Sequence, residues 1–512
     1  MKYNRREFIK TGGIVMLGSL AAPSFLGSCS GSGKIDQAAG IPFALNHFGV
    51  SENDLKKVLS AALEKGGDYA DLFFEHTFRN SIRLQDGAVN QATSHIDYGM
   101  GVRVLAGDQT GYAYIENITL DEMLKAARTA ARIATGSTAT NTPINLTEKS
   151  ILQDYYSIST PWDEIAVKEK MPYLQKLNDK IFSLDSRVNK VTASLSDSTS
   201  HILFCNSEGL TYYDYRPMVV LGATCIMEEN GRIENSGAAR SYRMGAEFLT
   251  DEVINTIAKQ AVDKTAILFR AIMPKGGEMP VVMGAGGSGI LLHEAIGHAF
   301  EADFNRKNTS IFSDQLGKKI CNENINVIDD GTIPFNRGSV NIDDDGVEGQ
   351  KTYIVKDGVL ASYLHDRISA QYYGIPSTGN GRRESFRFMP IPRMRATYME
   401  AGNVTEEEII STVKKGIYAA NFTNGQVQIG AGDFTFFVKD GYLIENGKLT
   451  QPIKDINIIG NGPKALADIT MVGNNYEMDN GSWNCGKDGQ SCPVTCGMPS
   501  ALVSKLTVGG ES

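Results

Sequence analysis

Two imidazoles and three carboxylates stand in an otherwise apolar run, Ile290-Leu-Leu-His-Glu-Ala-Ile-Gly-His-Ala-Phe-Glu-Ala-Asp303. His293 and His298 bracket Glu294 among Leu, Ile, Ala, Phe and Gly, the composition of a buried helix. Burying that many titratable groups is costly unless something pairs them. A divalent metal would do so, because neutral imidazole nitrogen is a common metal ligand and a neighbouring carboxylate can act as general base toward water. The spacing departs from the usual zinc helix, in which His-Glu-x-x-His sets its histidines four residues apart on one face. Here they are i and i+5, about 140° apart on a regular helix at ~100° per residue. A one-residue π-bulge at Gly297 would bring i+5 back over i. Residues 293–298 are therefore expected to depart from α-helical geometry. The plainer alternative is a core helix whose histidines are satisfied by backbone carbonyls.

Two histidines do not complete a zinc site, which needs a third protein ligand and an open position. The residues leave Glu301, Asp303, His365 or a carboxy-terminal cysteine as candidates. Cys485 reads as part of a glycine-flanked loop, Asn484-Cys-Gly-Lys-Asp-Gly-Gln490, with Lys487 near enough to favour its thiolate. Cys492 and Cys496 are open to pairing with each other or with Cys485. Arg382, Arg383, Arg387, Arg393 and Arg395 form a basic run beside Tyr372, Tyr373 and Phe386. It reads either as a solvated loop or as a clamp on a peptide carboxylate or backbone carbonyls, with Arg382, Arg383 and Arg393 as candidate substrate contacts. Asp343-Asp-Asp345 lacks the twelve-residue calcium pattern and is expected to be an exposed acidic loop. Gly284-Ala-Gly-Gly-Ser-Gly289 matches a dinucleotide fingerprint, but no parallel βαβ unit follows it. Those glycines read as a tight turn that permits close backbone approach.

The elements that must position these groups give an α+β protein: α+β modules first, then a predominantly β domain carrying the metal helix. A helix is expected from Ser51 to Gly66, then short strands at 70–75, 81–84 and 101–105, then a helix from Asp121 to Thr135. These make a first domain over 47–136. A polar stretch, 137–161, reads as a linker. Trp162 to Leu184 reads as helix, with strand-like runs at 188–196, 201–205, 211–215 and 219–228, giving a middle domain over 162–245. The third domain, 250–512, holds the metal helix and β segments separated by Asp357-Gly358, Asp440-Gly441 and Asn446-Gly447 as hairpin turns.

Of 512 residues, 42% are hydrophobic and 21% charged, the balance of a globular chain with room for two or three domains. Net charge is −9; Lys2, Arg5, Arg6 and Lys10 against Glu7 put +3 on the first 28 residues and leave −12 on the rest. An acidic body argues against a nucleic-acid partner. Asn4-Arg-Arg-Glu-Phe-Ile-Lys10 resembles a twin-arginine export motif, and the apolar run after it is too short and glycine-rich to favour a membrane span. Leu26-Gly-Ser-Cys29 resembles a lipobox, so residues 1–28 are expected to be a signal peptide, Cys29 the lipidated residue, and 29–46 a linker. The expected location is periplasmic, with a lipid anchor holding the protein to the membrane.

Several blocks together resemble the TldD/PmbA family, in its TldD-like branch: His293-Glu-Ala-Ile-Gly-His298 with Glu301-Ala-Asp-Phe-Asn-Arg306, Ser377-Thr-Gly-Asn-Gly-Arg382, Gly441-Tyr-Leu-Ile-Glu-Asn-Gly447 and Cys485-Gly-Lys-Asp-Gly-Gln490. The resemblance implies a metallopeptidase acting on small or unfolded peptides, with zinc or another divalent metal such as iron held by His293, His298 and Cys485 and with Glu294 as general base. It also implies a TldE/PmbA-like paralogue or a second copy as partner. The alternative it carries is a non-catalytic peptide-binding or assembly subunit. Pro392-Arg-Met-Arg-Ala-Thr397 departs from the Pro-Arg-Met-Thr-Asn-Thr more usual in the family, which touches a substrate-side contact and not the metal site.

Overall fold

The computed structural model describes residues 40–135 and 143–510. The export motif, the lipobox and Cys29 lie outside the described residues, as do 136–142. The architecture is α+β, and the carboxy-terminal half is mostly β.

The amino-terminal half is built on strands far longer than sequence patterning predicts. Tyr69–Gln85 is one 17-residue strand, Val188–Asn206 has 19 residues and Leu210–Glu229 has 20. Polar residues that read as breaks are one face of a continuous strand. In Val188–Asn206 the residues Val191, Ala193 and Leu195 are fully buried, and the intervening Ser194, Ser196, Ser198 and Ser200 point the other way. The inward face packs on helices Val167–Leu184 and Asp251–Ala266 to make a core with Trp162, Leu177, Ile181, Leu221 and Ile257. Each such aliphatic side chain contributes about 1.5–3 kcal/mol on burial.

Tyr69–Gln85 pairs antiparallel with Val188–Asn206 over fifteen residues, so the two expected amino-terminal modules share a single seven-stranded sheet. The stretch expected to link them is also tied down. Thr147–Glu148 pairs with Leu210 and Thr211, and the buried Tyr156 hydroxyl donates to Asp214. Likewise the expected 29–46 linker is helical from Gly40, in Gly40–Phe48.

In the carboxy-terminal half, Lys448–Asn461, Asp433–Glu445, Lys415–Gln428, Gly277–Met283 and Ala501–Gly509 pair in that order, and Ala501–Gly509 pairs back with Lys448–Asn461. Five strands thereby close into a ring. Asp440-Gly441, expected as a turn, lies inside Asp433–Glu445, where Asp440 pairs with Lys454 and receives hydrogen bonds from Asn421. The turn is at Asn446-Gly447, whose positive φ of 50° and 76° suit a two-residue hairpin loop.

The expected exposure of the acidic run is overturned, and of the two readings of the basic run the solvated loop is ruled out. Asp343, Asp344 and Asp345 are at most 5% exposed. Arg103 reaches Asp345 at 2.5 Å and Arg216 reaches Asp344 at 2.7 Å, while Asp343 accepts the backbone N–H of Asp345, Val347 and Gly381. In the basic run, Arg382, Arg383, Arg393 and Arg395 are buried, and only Arg387 is partly exposed, pairing with the buried Asp97 and the exposed Glu116. Partners supplied from other parts of the chain turn both runs inward.

Candidate metal centre

Strand Gly277–Met283 feeds the metal helix through the glycine-rich turn. Gly286 has φ +82°, and a Cβ on Gly289 would stand 2.4 Å from the Gly497 nitrogen, so these glycines serve a tight turn and a close packing. Leu291–Gly297 is then π-helical, and the His298 N–H donates to the His293 carbonyl, an i to i+5 bond. The extra residue per turn brings the two imidazoles together, 5.0 Å between ring centroids and 80° between planes. Gly297 itself has ordinary helical dihedrals, φ −59° and ψ −50°. Its lack of a side chain is needed for space: a Cβ there would lie 2.2 Å from Met394 Sδ and 2.8 Å from the Leu292 carbonyl.

The third donor arrives on a hairpin. Asn484–Lys487 and Gln490–Pro493 pair around Asp488-Gly489, whose φ of 50° and 73° make a two-residue turn, so the expected loop is regular strand. Cys485, Lys487, Gln490 and Cys492 project inward and are buried. Cys485 Sγ lies 3.3 Å from His298 Nε2, and the ligand atoms of His293, His298 and Cys485 all fall within 4.8 Å of one another. Both ring nitrogens of His293 are buried without a hydrogen-bond partner. Two orphaned nitrogens beside an imidazole and a thiol make a donor set that fits a zinc ion with one coordination position left open.

The surroundings prepare these donors. Glu301 Oε2 sits 2.9 Å from His298 Nδ1, which orients the ring and leaves Nε2 facing Cys485. Burial alone would raise the Cys485 thiol, but His298 and His293 draw it well below the usual thiol range. Burial would lower His298, but Glu301 and Cys485 hold it well above the ordinary imidazole range. Glu301 itself resists the upward push of burial and falls to about 2, because Lys487 and His298 flank it. Lys487 was expected to act on the thiol. Its ammonium instead bridges Glu301 at 3.1 Å and Asp303 at 2.7 Å, and donates to the Pro392 carbonyl.

Glu294, one residue along the π-helix, is half-buried on the wall of a pocket of about 100 Å³ shared with His293, Asn424, Gly425 and Asn484. Burial raises its carboxyl above the usual range, against the opposing pull of His293 and His298. Gly425 leaves it room, since a Cβ there would come within 3.1 Å of Glu294 Cγ.

The other candidate residues separate. Glu301 and Asp303 stand behind the donors, not among them. His365 is buried beside Tyr373, pushed down to about 4 by burial, and outside the donor group. Arg393 supports the hairpin: it donates to the Cys485 carbonyl and, at 3.5 Å, to Cys492 Sγ. Arg382 and Arg383 line a second cavity, walled in part by Asn484, Ser491 and Cys492 of that hairpin. Cys205, Cys225, Cys321, Cys485, Cys492 and Cys496 are all free and buried. The roles of Glu301 and Arg393 were missed from sequence, although a carboxylate three residues after His298 was a usable sign.

Three family profiles match in sequence along the chain: PmbA/TldA metallopeptidase domain 1 over residues 70–134, the central domain over 160–269 and the C-terminal domain over 276–510. A metalloprotease TldD homolog of Buchnera aphidicola is 39% identical over 91% of this chain and 98% of its own length, and one of Haemophilus influenzae is 37% identical over 90% and 97%. A zinc metalloprotease TldD homolog of Saccharolobus solfataricus is 28% identical over 89% and 99%. Among solved structures, a Thermotoga maritima protein titled as a candidate modulator of DNA gyrase superposes with a TM-score of 0.72 at 22% identity, covering 90% of this chain and all of that one. TldE from Thermococcus kodakarensis gives 0.67 at 19% identity over 89% and 100%. At such identities the structures speak for the fold alone.

Proposed function

The chain belongs to the PmbA/TldA metallopeptidase family, and from that premise we propose that it is a zinc-dependent peptidase that hydrolyses peptide bonds of small or unfolded peptides. The observation that carries the proposal is the convergence of His293, His298 and Cys485 through a π-helical turn, with both nitrogens of His293 lacking any other partner.

Zinc held by these three donors would acidify water toward neutral pH and polarise a peptide carbonyl. Glu294, on the wall of the same pocket, takes a proton from the attacking water at its carboxylate oxygen. The water oxygen bonds to the carbonyl carbon, the C–N bond breaks, and Glu294 returns the proton to the leaving amine. Glu301 keeps His298 oriented through Nδ1, and Lys487 keeps Glu301 ionised. The pocket beside Glu294, about 100 Å³, is too small for a folded domain, which supports small or unfolded peptides as substrate.

The proposal extends to location and assembly. The sequence from Asn4 to Cys29 supports export by the twin-arginine route and a lipid anchor on Cys29 in the periplasm. Similarity to the TldD homologs supports a TldE/PmbA-like paralogue, or a second copy, as partner. The test is peptide hydrolysis by the purified full chain. Glu294→Gln is expected to abolish turnover while retaining bound zinc, and full activity in that variant would refute the mechanism.

A further inference from the structure

A cavity of about 260 Å³ lies between the long-strand sheet and the carboxy-terminal loops. Ser198 and Ser200, on the polar face of Val188–Asn206, form one wall, and Asn484, Ser491 and Cys492 of the metal-centre hairpin form another. Asn484 also lines the pocket of His293 and Glu294. Cys492 stands directly across the hairpin from Cys485, a separation of about 5 Å for neighbouring strands. The cavity therefore adjoins the metal donors.

Its lining is strongly cationic, with seven arginines against Glu75, Asp344 and Glu384. Asp344 is already engaged by Arg216 and by the backbone N–H of Arg383. Arg243, Arg337, Arg382 and Arg395 are each at least nine-tenths buried. Among the described residues their guanidinium groups meet neutral acceptors in place of carboxylates. Arg337 donates to the Trp483 carbonyl, Ser241 Oγ and Asn484 Oδ1. Arg382 donates to the carbonyls of Met394 and Pro493, and Arg395 to that of Gly379. Arg243 has one long bond, 3.5 Å to the Pro217 carbonyl, and its Nε is buried with no partner. Burial foremost, with neighbouring guanidinium groups adding to it, pushes Arg243, Arg337 and Arg395 down to about 10, against the opposing pull of Asp214 on Arg243 and of Asp343, Asp344 and Asp329 on Arg395, so all stay charged at neutral pH.

Buried like charges that outnumber the carboxylates around them are costly, and a fold keeps them where something else supplies the missing opposite charge. We infer that this cavity is an anion subsite, which seats a carboxylate of the peptide substrate while the scissile bond lies at the metal centre. The planar fork of Arg matches a carboxylate with two parallel hydrogen bonds. About 260 Å³ accommodates an acidic side chain or a chain end. The inference rests on the peptidase reading and adds a preference to it: acidic peptides, or peptides with a free carboxyl terminus.

Binding tests it separately from turnover. The full chain carrying Glu294→Gln, loaded with zinc, is titrated with four fluorescein-labelled heptapeptides. These contain one Glu or one Gln in an alanine background, each as free acid and as amide, and affinity is read by anisotropy. Tenfold or tighter binding of Glu over Gln peptides, with amidated ends, assigns the subsite to side chains. The same preference for free acid over amide assigns it to the chain end. Adding Arg243→Gln or, as a second variant, Arg382→Gln brings the ratio toward one, with thermal melting as the folding check. Equal binding of all four peptides, or a ratio unchanged in both arginine variants, would overturn the subsite. Selective binding by a protein whose wild-type form hydrolyses nothing would leave the subsite standing and refute the proposed reaction.

Discussion

Replacing Gly297 with alanine tests the geometric basis of the metal centre with a single methyl group. Alanine is the better helix former by about 1 kcal/mol, so on local preference alone Gly297→Ala stabilises the segment. The structure opposes this, because the new Cβ would lie 2.2 Å from Met394 Sδ and 2.8 Å from the Leu292 carbonyl. Overpacking of a tight core costs about 1–3 kcal/mol. Met394 is flexible and can swing away, but the Leu292 carbonyl belongs to the residue before His293 and to the same π-helical turn. Relieving that contact rewinds the turn toward α-helix and spreads the imidazoles toward the ~140° separation of a regular i, i+5 pair. Zinc affinity, measured by competition with a chromophoric chelator, is expected to fall at least tenfold, which is about 1.4 kcal/mol. Met394→Ala added to Gly297→Ala should recover only the side-chain share of the loss. Wild-type zinc affinity in Gly297→Ala would refute the claim that space at residue 297 sets the bulge.

Glu301→Gln removes the carboxylate that orients His298 and is expected to weaken zinc binding 10–100-fold, the usual effect of a partner behind a metal ligand; unchanged affinity would make Glu301 a passive neighbour. Lys487→Met leaves Glu301 and Asp303 buried without their shared cation and should destabilise the protein by about 3–5 kcal/mol in denaturant titrations, whereas a small effect would mean that water replaces the ammonium. After zinc is stripped, Cys485 alone of the six described cysteines is held below the usual thiol range, the other five being raised chiefly by burial. Its thiolate is therefore favoured at lower pH than that of an ordinary thiol, so alkylation of Cys485 by iodoacetamide should rise less than tenfold per pH unit between 6 and 8. A tenfold rise per pH unit, as for an ordinary thiol, would contradict the imidazolium–thiolate pairing.

What was legible in the sequence was local chemistry with a period. The i, i+5 histidines and Gly297 foretold the π-bulge, and the helix expected from Ser51 is present, with Ser51 accepting from the Asp54 N–H as its cap. What was not legible depended on partners distant in the chain. Asp345 meets Arg103, 242 residues away, so a run of three carboxylates that reads as surface is buried. Lys487 meets Glu301 and Asp303 about 180 residues away, and so serves the carboxylates behind His298 in place of the thiol beside it. The long strands were cut short for a different reason: Ser198 and Ser200, in the gap between the expected strands 188–196 and 201–205, look like turn residues, but they continue the face that Val188–Asn206 turns away from its helices. The departure from the family pattern, at Arg395 and Ala396, has a structural setting, since Arg395 lines the arginine-rich cavity.

The central claim is that one metal is held jointly by the π-helical turn and the distant hairpin. X-ray absorption at the zinc edge of the full chain tests it most directly. The expected spectrum contains one sulfur at about 2.3 Å and two imidazole nitrogens at about 2.0–2.1 Å, with a light atom completing four-coordination, and the sulfur shell disappears in Cys485→Ser. A wild-type spectrum with no sulfur, or one whose sulfur survives that substitution, would contradict the account.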